Sequence, residues 1–214
     1  GILRIAFGLA ILFSPLYATN LISKYNNLIS VYIPLAIISL ICLILMVKLP
    51  ETQKNKSIKV DKKEFIAIIK DPIHYKTLSI VFLVLTMPTL LLAFLGIYLS
   101  NSFNLSQGEI GYVYTIVAIG TIIGILFATL FADKIGKEKL AKVSFTIVCF
   151  TLIFMLFLKS IYWTIGAMII LTSGLDGGWT AYQALCSEIN PKKRSTYMSL
   201  LYMVNGVTIT FYSL

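Results

Sequence analysis

The sequence predicts an all-α membrane protein, a polytopic helical bundle with about seven transmembrane helices. Of its 214 residues, 58% are hydrophobic and only 13% are charged, and the mean hydropathy is +0.89. Soluble domains carry roughly 25% charged residues, so much of this apolar chain is expected to face lipid. The apolar residues form runs of about 20, the length with which a helix crosses a hydrocarbon core of about 30 Å. The basic residues cluster between those runs.

Seven apolar runs satisfy the length criterion. Small residues around Pro15 in the first run favour close helix packing, with a gate as the alternative. Met87 and Pro88 predict a kink in the third run, and Lys159 with Ser160 predicts a tight external hairpin between the fifth and sixth. Because both ends of the chain are apolar, we expect it to be part of a longer protein. The runs occupy residues 1–21, 28–47, 78–99, 110–132, 141–158, 162–185 and 197 onward.

The longest polar stretch, residues 48–76, is rich in Lys and is predicted to be a cytoplasmic linker between two helical bundles. Within it, residues 61–72 place Phe65, Ile66 and two further Ile residues among charges. That pattern predicts a short amphipathic helix lying on the membrane surface. A solvated helix that merely covers the bundle remains the alternative.

The orientation of the chain follows from its basic loops. All of the 18 Lys and Arg residues except Arg4, Lys24 and Lys159 lie in loops that alternate onto one side of the predicted bundle or, in the case of Lys142, at the start of the run that follows such a loop. Since cytoplasmic loops carry the excess of Lys and Arg, that side is predicted to be the cytoplasm. We expect a multi-pass protein of the plasma membrane with lipid as a partner.

Several functional classes are excluded by the same residues. The net charge of +9 lies in separate loops, which indicates contacts with anionic lipid, and we expect no nucleic-acid partner. Cys42, Cys149 and Cys186 stand alone in apolar runs, so neither a disulfide framework nor a metal site is predicted. His74 is expected to be a solvated loop residue. No cluster of His, Cys and Asp suggests an enzyme, and no cofactor is predicted.

Asp176 is the strongest candidate for a functional residue. It lies near the middle of the sixth run, about 12 residues or roughly 18 Å from the charged end at Glu188. A carboxylate at this depth is costly unless it faces water or a partner. Thr172, Trp179 and Gln183 share its helix face at spacings of four, three and four. We predict that this face contacts substrate or carries protons, with a purely structural carboxylate as the alternative.

Asp133 suggests a second role, at the cytoplasmic end. A carboxylate at the C-terminal end of a helix opposes the helix dipole and needs compensation. We expect Asp133, with Lys134 and Arg194 near it, to hold the start of the seventh helix at Ser195 when the cytoplasmic side is closed.

One motif resembles a known family. The fourth run and its loop are similar to the conserved loop motif of the major facilitator superfamily, at Gly120, Asp133, Lys134, Gly136, Lys137 and Lys139. Ser14 and Pro15 resemble a motif of the fifth helix that is associated with antiporters, and residues 48–52 resemble the end of the sixth helix. The resemblance implies a fragment that runs from the fifth to the eleventh helix of the family. It also implies that the six residues of the loop motif, from Gly120 to Lys139, form a cytoplasmic gate.

On this basis we expect three segments. Residues 1–47 would be the last two helices of an N-terminal bundle, 48–76 the linker, and 77–214 five helices of a C-terminal bundle. The predicted function is secondary active transport of a small molecule by alternating access, coupled to protons, with drug-type efflux as the preferred class. We expect a monomer for the full-length protein. A seven-helix membrane sensor or receptor is the alternative.

Overall fold

The computed structural model describes residues 2–25, 27, 29–47, 66, 70–189 and 194–212. These residues form seven helices and no strand, which confirms the all-α prediction. The predicted linker lies mostly outside the described residues, so its surface helix stays a prediction. The helices are α1 (Ile2–Tyr25), α2 (Ile29–Val47), α3 (Pro72–Phe103), α4 (Gln107–Ile135), α5 (Lys137–Met155), α6 (Ile161–Ile189) and α7 (Arg194–Tyr212).

Local sequence signals set both ends of α4. At its start, the Ser106 hydroxyl accepts from the Glu109 N–H, while the Glu109 carboxylate accepts from the Ser106 N–H at 2.8 Å. This capping box satisfies backbone donors that the first turn leaves free. The Ser106 side-chain and backbone donors also lower the pKa of Glu109. At the other end Gly136 adopts a φ of 96°, a conformation that glycine tolerates, and α5 begins at the next residue.

α6 lies at the centre of the bundle. It packs along α4 on one side and α5 on the other, while α3 packs against α7 and α1 packs against α4. Buried residues from α3 to α7 form one apolar cluster that includes Trp179, Tyr197 and Leu201. A second cluster, around Leu95 and Met168, joins α3, α4, α5 and α6. The candidate residues on α6 are therefore surrounded by other helices.

Glycines allow α4 and α6 to approach closely. A Cβ added at Gly124 would overlap the main-chain carbonyl of Ser173, and one added at Gly177 would lie 3.0 Å from the carbonyl oxygen of Gly124. A Cβ at Gly120 would overlap the Ile169 carbonyl. Close backbone contact through small residues is the usual way in which helices associate within lipid.

α1 uses the same kind of contact. A Cβ at Gly8 would lie 3.2 Å from Ile122 of α4, and one at Gly111 of α4 would overlap the Thr19 side chain. These contacts support the packing interpretation of the first run. α2 contacts α1 and exposes most of its apolar side chains among the described residues.

One described helix, Gln107–Ile135, is long and apolar enough to cross a membrane by length and composition alone. The described part of the chain also contains shorter apolar stretches, at Gly8–Ile22, Ile29–Leu45, His74–Val84 and Leu90–Phe103. α6 has sufficient length, but the Thr, Gly and Asp residues in its middle lower its mean hydropathy.

The expectation for His74 was wrong. It belongs to the first turns of α3, is 6% exposed, and packs its ring edge-on against Tyr197 at 4.8 Å. Its Nδ1 lies 3.1 Å from the Asp71 carboxylate. The charged neighbours along the sequence suggested a loop, but the helix turns this side chain toward α7.

Candidate functional site

The carboxylate of Asp176 lies where α6 contacts α4. It is half-buried, and its Oδ2 accepts a 2.8 Å hydrogen bond from the hydroxyl of Thr121. The glycines at positions 120, 124 and 177 bring the two helices close enough for this contact. Thr121 was not singled out in the sequence, where a single Thr within an apolar run carries no distinctive signal.

Thr172 contributes to the helix contact through its hydroxyl. It is 2% exposed, and its Oγ1 lies 3.0 Å from the carbonyl oxygens of both Val117 and Met168. Because this hydroxyl donates its proton to the main chain, it fixes α6 against α4 one turn from Asp176. Within α6, the Thr180 hydroxyl donates to the main-chain carbonyl oxygen of Asp176 at 2.7 Å. This hydrogen bond links the following helical turn to Asp176.

The other two predicted residues lie further along α6. Trp179 is 7% exposed within the core, with its ring stacked on Tyr182 at a centroid distance of 6.3 Å. Gln183 is half-buried, and its Nε2 donates to the hydroxyl of Tyr202 on α7 at 2.8 Å. The four residues thus follow one helix but contact different neighbours: α4 for Thr172 and Asp176, the core for Trp179, and α7 for Gln183.

Two apolar cavities lie beside α6, and Asp176 lines neither. One of about 510 Å³ lies between α4, α5 and α6. The other, of about 350 Å³, lies between α3, α5 and α6 and includes Tyr98. The polar contacts of Asp176 therefore lie outside both of these apolar cavities.

The predicted gate motif forms an ionic bridge between two parts of the bundle. Lys137, in the first turn of α5, lies 3.0 Å from the Asp133 carboxylate and also donates a hydrogen bond to Glu188 at the end of α6. The hydrogen bond from Lys137 to Glu188 makes the largest contribution to raising the pKa of Lys137, and the hydrogen bond to Asp133 raises it further. The remaining motif residues lie apart: Lys134 is 5.8 Å from the ring of Phe131, Lys139 is exposed, and Gly120 packs against α6.

This geometry differs from the latch expected at Asp133. The described contact of Asp133 leads through Lys137 to the end of α6, and the start of α7 is not part of it. The difference arises from the position of Lys137. It follows Asp133 by four residues, on the other side of Gly136, and its side chain reaches the carboxylates of both Asp133 and Glu188. Glu188 was not recognised as a member of this group from the sequence.

If Asp176 has the predicted role in binding substrate or protons, replacing Thr121 with Val should slow transport about tenfold, since a hydrogen bond to a charged group contributes roughly 1.5 kcal/mol or more. The variant keeps the shape of the side chain but removes the donor to Asp176. Initial transport rates in reconstituted vesicles measure the effect. Thr121→Ser retains the hydroxyl and should remain close to the parent, and equal rates for all three proteins would contradict the positioning role.

The sequence matches the family model described as the Major Facilitator Superfamily over residues 1–213. Neither the curated proteins nor the solved structures compared with it gave a significant match. Members of this family are multi-pass membrane transporters, in agreement with the all-helical fold and the apolar composition. Because the model covers nearly the whole sequence, the chain belongs to the major facilitator superfamily.

Proposed function

We propose that this chain forms part of a proton-coupled secondary transporter of a small molecule, with Asp176 as the group that binds the proton. The observation that carries the proposal is the half-buried Asp176 carboxylate, held by Thr121 in the middle of α6. Charged residues at such depth in a membrane are costly and usually mark an ion or substrate path. Gln183, two turns along the same helix, is proposed as a substrate contact between α6 and α7.

The proposed architecture has seven membrane-spanning helices. α1 to α7 would correspond to the fifth to eleventh helices of the family, with residues 1–47 in one bundle, 48–76 as the linker and 77–214 in the other. Two bundles that rock around a midplane site give alternating access. The contact of α1 with α4 through Gly8 and Gly111 would then lie between the bundles. We propose a monomer in the plasma membrane.

The bridge of Lys137 with Asp133 and Glu188 is proposed as a cytoplasmic clamp. It joins the α4–α5 connection to the end of α6, so it would favour the closed cytoplasmic side. The hydrogen bonds to Glu188 and Asp133 raise the pKa of Lys137 and keep it charged at neutral pH, so the contribution of its charge to the bridge should be lost as the pH rises through that pKa.

Lys137→Gln should therefore increase opening at the cytoplasmic end. Cys186 on α6 is fully buried, so the rate at which a thiol reagent labels it can report on this opening. The exposed Cys42 and Cys149 are first replaced by Ser. We expect maleimide labelling of Cys186 to accelerate by up to about fivefold, the range of an exposed ion pair. Glu138→Gln is the matched control, because Glu138 pairs with Lys142 within α5. Identical labelling of Lys137→Gln and the parent would rule out the clamp.

The substrate class proposed is an amphipathic cation moved outward, because a half-buried acid in a chain rich in aromatic residues suits such a compound. The helix carries Asp176 near Trp179. Ethidium is a suitable probe: the full-length protein in inside-out vesicles should accumulate it when a pH gradient is imposed, and an uncoupler should abolish the accumulation. Ethidium flux that ignores the gradient would contradict proton coupling, and absence of flux would contradict this substrate class.

A further inference from the structure

The apolar groove between α4, α5 and α6 has no part in the proposed transport site. It encloses about 510 Å³, and Asp176 is not among its lining residues. Its floor is formed by small residues, since Gly124 and Gly177 touch through their main chains. Its rim is formed by half-exposed apolar side chains. The side chains of the rim are Ile123, Phe127, Val143, Ile147 and Ile170.

By helix register, two cations lie near the end of this groove that is closest to the α4–α5 connection. On α4, Phe127 of the rim packs against Phe131 at 4.8 Å, and the Lys134 ammonium lies 5.8 Å from the Phe131 ring. On α5, Lys139 precedes Val143 by four residues, so both lie on one helix face.

Both cations are free of acidic partners within the described part of the chain. The neighbouring Lys137 and Lys142 are each paired with carboxylates, whereas Lys134 and Lys139 are exposed and have no carboxylate within 4.0 Å among the described residues. This end of the groove therefore carries two positive charges that no carboxylate in the described part of the chain compensates.

A serine side chain lies just inside that end. Ser144 is 8% exposed, lines the groove, and makes no side-chain hydrogen bond with any described residue. It lies five residues beyond Lys139, about 7.5 Å along the helix axis. This separation is comparable to the thickness of one interfacial layer of a bilayer, about 5–7 Å, which holds the phosphate and ester groups of a lipid.

We propose that this groove binds an anionic glycerophospholipid. One acyl chain lies along the apolar rim, an ester carbonyl accepts from Ser144, and the phosphate lies between Lys134 and Lys139. The phosphate of an anionic lipid is a suitable counter-ion for Lys134 and Lys139. A second copy of this chain is a less suitable occupant, because a symmetric contact at the groove would place its own Lys134 and Lys139 close to the first pair. The inference requires that the helices lie in a membrane, as family membership implies, and it does not depend on the transported substrate.

Native mass spectrometry of the full-length protein tests the proposal. The purified protein is mixed with phosphatidylglycerol and phosphatidylcholine of identical acyl chains, and the retained lipids are counted. The double variant Lys134→Gln, Lys139→Gln should bind phosphatidylglycerol about thirtyfold more weakly, since each Lys near a membrane surface contributes about a factor of five. Lys76→Gln with Lys159→Gln removes the same charge elsewhere and should weaken binding of phosphatidylglycerol much less than the first double variant does. Equal retention in both double variants would overturn the proposal.

A second variant tests the apolar part of the site. Val143→Trp fills the groove from its exposed rim, and we expect it to displace the lipid. Ile153→Trp on the exposed face of α5 is the control. Binding of soluble glycerol phosphate with equal affinity would show a headgroup-only site, and photocrosslinking from position 147 to residues 61–71 would show that the chain itself fills the groove. Either result would overturn the lipid assignment.

Discussion

Replacing Asp176 with Asn is expected to reduce gradient-driven transport to the leak rate of protein-free vesicles. The amide has nearly the same size and can still accept from the Thr121 hydroxyl through its carbonyl oxygen, so the contact between α4 and α6 should survive. It cannot bind and release a proton, however, and a coupled transporter needs a group that does so at the substrate site. The measurement is uptake into inside-out vesicles with and without an imposed pH gradient.

Two further observations distinguish loss of coupling from loss of folding. Exchange of labelled for unlabelled substrate needs no net proton movement, and it should continue in Asp176→Asn. Asp176→Glu keeps a carboxyl group and should retain part of the coupled transport. If Asp176→Asn transports at the parental rate and still responds to the gradient, the carboxylate is structural, as the alternative interpretation of this residue holds.

Gly124→Ala should produce the largest loss of stability. The added Cβ would overlap the main-chain carbonyl of Ser173, and no rotamer change can relieve a contact with backbone. α4 and α6 would have to separate, at a cost of about 2–3 kcal/mol, which corresponds to a fall of roughly 5–10 °C in Tm. Thermal unfolding of the purified protein in detergent measures the change.

The control for this variant is Gly166→Ala, in the interior of the partner helix. No atom lies within 4 Å of the Cβ that it adds, so the substitution should be neutral or should stabilise the helix by about 0.5–1 kcal/mol. Similar losses for Gly124→Ala and Gly166→Ala would mean that the close contact between α4 and α6 does not stabilise the protein.

The helices and the family could be predicted from the sequence because their signals are local. Apolar runs indicate helices whatever their partners, and the loop motif from Gly120 to Lys139 occupies one continuous stretch; the family match confirms that assignment. The partners of the site residues depend on the packing of distant segments. Thr121 and Asp176 are 55 residues apart, and their contact requires the register that the interhelical glycines define.

The same distinction explains the correction at His74, which was assigned to a solvated loop from its charged neighbours although the turn of α3 directs it toward Tyr197. The latch of Asp133 to the start of α7 stays a prediction. The described contact of Asp133 is with Lys137, which also reaches the end of α6, and the sequence does not determine which of several helix ends lies nearest.

The single residue between α4 and α5 limits how these two helices can reorient. Gly136 contributes the two torsion angles around which one helix can swing against the other, and its φ of 96° is a value that other residues adopt only with strain. Rotation about these torsion angles changes the separation of the Asp133 and Lys137 main chains directly, because the two residues lie on opposite sides of Gly136. Any reorientation of α5 against α4 is therefore coupled to the length of this ion pair.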